Sequence, residues 1–306
     1  MPLIPVLTTA SLFLAPIIWL GALTGALAGR EPFASCLYLF AWWPAIFFLD
    51  AWLYRRTGKS WIYHRPREFL RLCQWSVTAW LVFEAANLVL GNWRYVGLIP
   101  IWWLRWPGYA LSFATVLPGI LLTAKVLETL GAWRRASGPA RSLKHWQLWS
   151  LLAGTGALFF SLAVPQWGFP LIWLALIFLL DPLCQVLGGD SLMESFAQGE
   201  RREHLCLLTA GLICGLWWEV WNYPSGARWV YTLPIFNYPK LFEMPLLGYL
   251  GFLPFALEAA VIYNFLTIIQ DRFINTPGRR LGAALLQAAF WITMFTALDA
   301  WTVVWR

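Results

Sequence analysis

Apolar residues along this chain form long runs broken by short polar loops, without the regular polar alternation of a membrane barrel strand. Nine such segments fall at about 3–28, 34–54, 69–90, 108–130, 147–164, 168–187, 204–222, 246–269 and 280–304. Several exceed the roughly 20 residues a helix needs to cross a bilayer. The pattern predicts an all-α, polytopic membrane protein with about nine transmembrane helices. The first run ends in Ala26-Leu27-Ala28, which resembles a signal cleavage site. No Lys or Arg precedes it, however, and Gly21, Gly25 and Gly29 recur at the four-residue spacing of close-packed membrane helices. It reads as a membrane helix.

The loops set the orientation. Arg55, Arg56, Lys59, Arg65, Arg67, Arg71, Arg134, Arg135, Arg141, Lys144, Arg201, Arg202, Arg272, Arg279 and Arg280 fall on one side. Arg30, Arg94, Arg105, Arg228, Lys240 and Arg306 fall on the other. By the positive-inside rule the amino terminus is cytoplasmic and the carboxyl terminus outside, in a bacterial inner membrane. Loops 91–107 and 222–245 then both face outward.

Those two loops belong to an internal repeat. The first half reads Glu84, Asn87, Gly91, Trp93, Tyr95, Pro100 and later Pro118; the second reads Glu219, Asn222, Gly226, Trp229, Tyr231, Pro234 and later Pro254. Asp50 and Asp181 extend the match backwards. The expected organisation is a first four-helix repeat over 1–130, a basic inner loop over 131–146, a second repeat over 147–269, and an inner loop with a ninth helix over 270–306. A unit with an even number of crossings returns to its starting side, so its copy lies parallel to it about an axis along the membrane normal. Residues three apart share a helix face, so each Glu and its Asn point into one space.

Ionisable groups inside membrane segments are costly and mark candidate sites. The stretch 216–263 is the richest, carrying Trp217, Trp218, Glu219, Trp221, Asn222, Glu243 and Glu258 among prolines. A carboxyl group held among indoles is kept from water, which disfavours its ionised form and makes it a usable acid. A second carboxylate that takes a proton back completes the equipment for isomerising or cyclising an olefin. The candidate catalytic residues are Glu219, Glu258 and Glu84. Asn87, Asn222, Trp218, Trp221, Tyr231, Glu243 and Tyr249 are candidates for binding the substrate. Indole faces stabilise a cation in a dry pocket. Aromatic belts and interhelical polar glue are the plain alternatives for the same residues.

Composition narrows the classes. The chain is 60% hydrophobic with a mean hydropathy of +0.61, too apolar for a soluble surface. Its net charge of +7 is accounted for by the loops, so no nucleic-acid partner is expected. Cys36, Cys73, Cys184, Cys206 and Cys214 form no Cys-x-x-Cys pair, and His64, His145 and His204 share no ligand spacing. No metal and no cofactor are expected. Lys125, three residues before Glu128, reads as a paired or snorkelling lysine.

The run Phe242-Glu243-Met244-Pro245-Leu246-Leu247-Gly248-Tyr249-Leu250-Gly251-Phe252-Leu253-Pro254-Phe255-Ala256-Leu257-Glu258 resembles a segment of a bacterial integral membrane family of undefined function. More remotely, it is similar to the membrane-embedded lycopene cyclase domains of carotenoid biosynthesis, which are helical, duplicated, and carry Glu pairs just after a Pro. That resemblance implies cofactor-free, proton-initiated cyclisation of a polyene, with Glu258 and Glu243 in the acidic role. The chain departs from the pattern in that Glu258 stands alone, four residues after Pro254.

The expected function is therefore a membrane enzyme acting on an isoprenoid or other lipid. Two other classes use the same residues. A transporter or channel would employ the Glu and Asn groups as cation or proton sites, and a structural assembly protein would use them as glue between helices.

Overall fold

The computed structural model describes residues 3–305; Arg306, counted above among the outer basic residues, lies outside them. The first half of the chain runs through α1 (Leu3–Leu27), α2 (Phe33–Thr57), the single turn α3 (Trp61–His64), α4 (Pro66–Leu90), strand β1 (Trp93–Val96), α5 (Trp102–Phe113) and α6 (Val116–Leu130). The second runs through α7 (Trp146–Ala163), α8 (Pro165–Gly168), α9 (Ile172–Val186), α10 (Leu192–Ala197), α11 (Arg202–Asn222) and strands β2 (Arg228–Tyr231), β3 (Lys240–Leu241) and β4 (Met244–Pro245). The chain closes with α12 (Phe252–Phe273), α13 (Pro277–Trp301) and strand β5 (Val303–Val304).

The protein is an all-α polytopic membrane protein. Eight helical stretches among the described residues are long and apolar enough to cross a bilayer. Of the nine segments drawn from the sequence, the one outside that set is α4. It is 25 residues long, but Arg67, Glu68, Arg71, Gln74, Glu84 and Asn87 dilute its apolar character. Its inner face is buried regardless, because it packs against α6, α12 and α13.

Local chemistry repeats between the halves. Asp50 accepts from Ser60 Oγ at 2.5 Å and Trp61 N at 2.7 Å, and Ser60 Oγ in turn accepts from Tyr63 N. Asp181 accepts from Ser191 Oγ at 2.8 Å and Leu192 N at 2.7 Å, and Ser191 Oγ accepts from Glu194 N. Each serine is thus an N-cap whose hydroxyl is held by a buried aspartate ten residues earlier. Both aspartates are therefore occupied in capping short helices.

The loops sort to two ends. At one end β1 lies between antiparallel β2 and parallel β5. The chain after α4, after α11 and after α13 therefore meets on a single face. At the other end, Gly138 N bonds to Gly199 O, Arg141 N to Ala197 O, and Arg71 pairs with Asp271 at 3.2 Å. That face gathers the basic loops.

The core between the halves is aromatic. Trp42 of the first half packs on Trp218 of the second, with centroids 5.4 Å apart; Phe83 stacks on Trp173 at 5.3 Å. Phe255 fits edge-on against both Phe83 and Trp173.

Candidate functional site

The site is built from two copies of one local arrangement. α4 ends at Gly91, whose φ of +63° turns the chain sharply so that β1 folds back along the helix end. Asn87 holds that return. Its Oδ1 accepts from Asn92 N at 2.8 Å and Trp93 N at 3.2 Å, and its Nδ2 donates to Trp93 O at 3.0 Å. One turn earlier, Glu84 Oε1 accepts from Trp80 Nε1 at 2.8 Å, from Trp93 Nε1 at 3.1 Å and from the Tyr95 hydroxyl.

The end of α11 repeats this. Asn222 Nδ2 donates to Trp229 O and its Oδ1 accepts from Trp229 N, both at 2.9 Å. Glu219 Oε1 accepts from the Tyr231 hydroxyl at 2.9 Å and from Trp229 Nε1 at 3.3 Å. Both glutamates are fully buried, and in each Oε2 has no hydrogen-bond partner among the described residues.

The ribbon joins the two copies. Trp93 pairs with Tyr231, and Tyr95 with Trp229. Exchanging the halves maps each of these pairs onto the other, so the register itself has the twofold relation of the repeat. The two carboxyl groups do not bond each other; they are coupled through the strands that each anchors.

A cavity of about 500 Å³ lies beneath the ribbon, within the range of small-molecule pockets. Trp80, Trp93, Tyr95, Trp173, Trp218, Trp229, Tyr231 and Phe255 form much of its wall. Glu84 and Glu219 stand one layer behind, so each reaches the cavity through its tyrosine. Burial, reinforced by the adjoining glutamate, pushes the hydroxyls of Tyr95 and Tyr231 well above the ordinary tyrosine range. Both stay hydroxyl donors.

Of the residues proposed from sequence, Trp218 and Tyr231 line the cavity. Asn87 and Asn222 clamp backbone instead of facing it. Glu258 is separate from both clusters: its Oε1 accepts from Leu176 N at 3.0 Å, tying α12 to α9. Tyr249 spends its hydroxyl on Leu241 O at 3.0 Å, and Glu243 lies 3.8 Å from Lys240. Trp221 packs with the small cluster of Ala22, Ala26 and Leu37. Lys125 pairs with Glu128 at 2.7 Å.

Sequence reasoning missed a third polar cluster at the cavity. Arg105 forms a fork with Asp299, Nε to Oδ1 at 2.8 Å and Nη2 to Oδ2 at 2.6 Å, while its Nη1 caps the carbonyls of Ile99 and Pro100. Trp106 Nε1 and the Tyr109 hydroxyl also donate to Asp299, each at 2.9 Å. Arg105 and Tyr109 line the cavity. The partners are 194 residues apart, and no local spacing announces them. Trp80 was missed as well, although its position four residues before Glu84 places it on the same helix face.

Among the described residues no group of His, Cys, Asp and Glu side chains is arranged to hold a metal ion. Compared with known proteins, the chain matches no family model, no curated protein and no solved structure.

Proposed function

We propose that the protein is a membrane-embedded enzyme that isomerises or cyclises an isoprenoid or other lipid by acid–base chemistry. The observation that carries this reading is the pair of Glu–Tyr units, each with its tyrosine in the wall of one apolar, indole-lined cavity.

The chemistry balances with two such units. In the first unit the glutamate is protonated and donates to its tyrosine, whose hydroxyl turns from the carboxyl group to give its own proton to an olefinic carbon. The carbocation so formed is stabilised by the faces of Trp93, Trp173, Trp218 and Trp229. A neighbouring C–H then loses its proton to the tyrosine oxygen of the second unit, which passes its own proton to an ionised glutamate as the double bond re-forms; the two equivalent units have then exchanged proton states and take opposite roles in the next turnover. No electrons leave the substrate, so no redox partner is required. The resemblance to lycopene cyclase domains points to the same class of reaction, but the acids are Glu84 and Glu219, with Glu258 serving the helix contact.

We read the face carrying the basic loops as cytoplasmic and the ribbon face as external, in a bacterial inner membrane. β1, β2 and β5 gather on the face opposite the basic loops, the side that the positive-inside rule makes external.

The test is mass spectrometry of lipid that copurifies with the wild type, Glu219→Gln and Tyr231→Phe, each checked for folding by its melting transition. A bound isoprenoid or lipid whose chemical form changes in both variants is the expected result. Folded variants that retain the wild-type lipid in unchanged form would remove the enzyme reading and leave the cavity as a carrier or transport site.

A further inference from the structure

One charged group at the cavity has no role in the Glu–Tyr units. Arg228, at the start of β2, lines the wall beside Ala227 and Trp229. It pairs with no carboxylate among the described residues. Among the described residues its guanidinium makes a single long hydrogen bond, Nη1 to Ser225 O at 3.4 Å, and its buried Nε has no partner. The contrast with Arg105 on the same wall is sharp, since every nitrogen of that guanidinium is engaged.

Arg228 is half-buried at the cavity wall, and an arginine fork left open there matches the two oxygens of an anionic head group. We infer that Arg228 is a binding site for the head group of the substrate, and that the substrate is a long-chain carboxylate, an apolar acid whose tail fills the indole-lined part of the cavity. The inference rests on reading the cavity as a lipid site, and it narrows that reading from lipids in general to singly charged ones.

Charge selects the head. Arg105 is neutralised by Asp299, so Arg228 is the one uncompensated positive group in the wall. A carboxylate brings one negative charge and closes the balance. A phosphate monoester brings about −1.5 to −2 at neutral pH and leaves an excess charge in an apolar cavity. A neutral polyene leaves Arg228 unpaired.

The geometry also orients the ligand. Arg228 lies three residues before Tyr231 on one strand, and Val96 is its partner across the ribbon. A head held there sends the tail past Tyr95 and Tyr231 toward Trp173 and Phe255.

The test uses the full-length protein in detergent and three probes sharing one tail: a brominated stearate, the corresponding alcohol, and the corresponding phosphate monoester. Bromine quenches the tryptophans it touches, so binding is followed by fluorescence. The stearate is expected to bind at least about tenfold more tightly than the alcohol, the advantage of one charge-assisted hydrogen-bonded pair. Arg228→Gln should abolish that preference and leave alcohol binding unchanged, whereas Arg228→Lys should keep part of it. Equal binding of stearate and alcohol to the wild type would overturn the head-group site while leaving the lipid cavity intact. Tighter binding of the phosphate than the stearate would overturn the carboxylate assignment. Failure of all three to bind would overturn the lipid cavity itself.

Discussion

Tyr231 stands directly across the ribbon from Trp93, yet the two side chains bond to different glutamates, Tyr231 to Glu219 and Trp93 to Glu84. The strand pair therefore links two carboxyl groups that make no direct contact. The two Glu–Tyr units are held in fixed relation by the backbone hydrogen bonds of the strand pair, which a pair of side chains on separate helices could not do as rigidly.

Removing one hydroxyl should expose that division of labour. Tyr231→Phe takes away the hydroxyl that links the cavity wall to Glu219 and leaves Glu219 with Trp229 Nε1 at 3.3 Å. General acid–base groups contribute roughly 100-fold to 10,000-fold. Conversion of the copurifying lipid should slow by about 100-fold or more in Tyr231→Phe, and comparably in Tyr95→Phe, with the melting temperature little changed. A variant that turns over lipid at the wild-type rate would show that its tyrosine is not the proton donor.

The two asparagines should matter for stability in unequal measure. Asn87 satisfies Asn92 N, Trp93 N and Trp93 O, whereas Asn222 satisfies Trp229 N and Trp229 O. Each buried backbone group left unpaired costs roughly 1–3 kcal/mol. Asn87→Ala should therefore lower the unfolding midpoint in detergent further than Asn222→Ala. The reverse order would mean that the clamps are not what secures the ribbon.

Much of this site is legible in the sequence because it is written twice. Glu-x-x-Asn followed by Gly, Trp and Tyr recurs with nearly the same spacing, and repetition of polar residues amid apolar runs marks the positions that form Glu84–Tyr95 and Glu219–Tyr231. The ribbon itself was not visible. Its strands are four residues long, too short for a period-two pattern to stand out from a loop. The contact that Glu258 makes was hidden for a related reason, since its partner is a backbone N–H of Leu176, 82 residues away, and an N–H carries no sequence signature. The same distance hid Asp299. Trp221 and Trp218 show the limit of composition: both lie beside Glu219, but α11 turns one toward the cavity and the other toward α1 and α2.

Two glycines with nearly equal φ should respond very differently to alanine. Gly91 has φ +63° and open space where a Cβ would go, so Gly91→Ala should cost about 1–2 kcal/mol, the penalty of a left-handed backbone alone. Gly97 has φ +67°, but its Cβ would sit 2.1 Å from the carbonyl oxygen of Gly226. Backbone cannot swing aside as a side chain can. Gly97→Ala should be clearly the more damaging, by melting temperature and by yield of folded protein. Equal melting temperatures would mean that the loops carrying Gly97 and Gly226 are not held against each other.

The Arg105–Asp299 fork ties the last helix to the cavity wall, and its energetics decide whether it stabilises or only specifies that contact. The Arg105 side chain is 6% exposed and that of Asp299 is 19% exposed, so the pair is largely out of water. Asp299→Ala strips the fork from Arg105 and takes the acceptor from Trp106 and Tyr109 together, leaving a buried cation uncompensated. Breaking a buried pair in this way costs about 3–5 kcal/mol, and the residual exposure of Asp299 puts the expectation at the lower end. Replacing both partners with apolar residues, Arg105→Met with Asp299→Leu, removes the stranded charge along with the bond. The double variant should therefore melt above Asp299→Ala. If it instead melts lower, by the sum of the two single losses, Arg105 and Asp299 contribute independently, and the fork is not what holds α13 against α5.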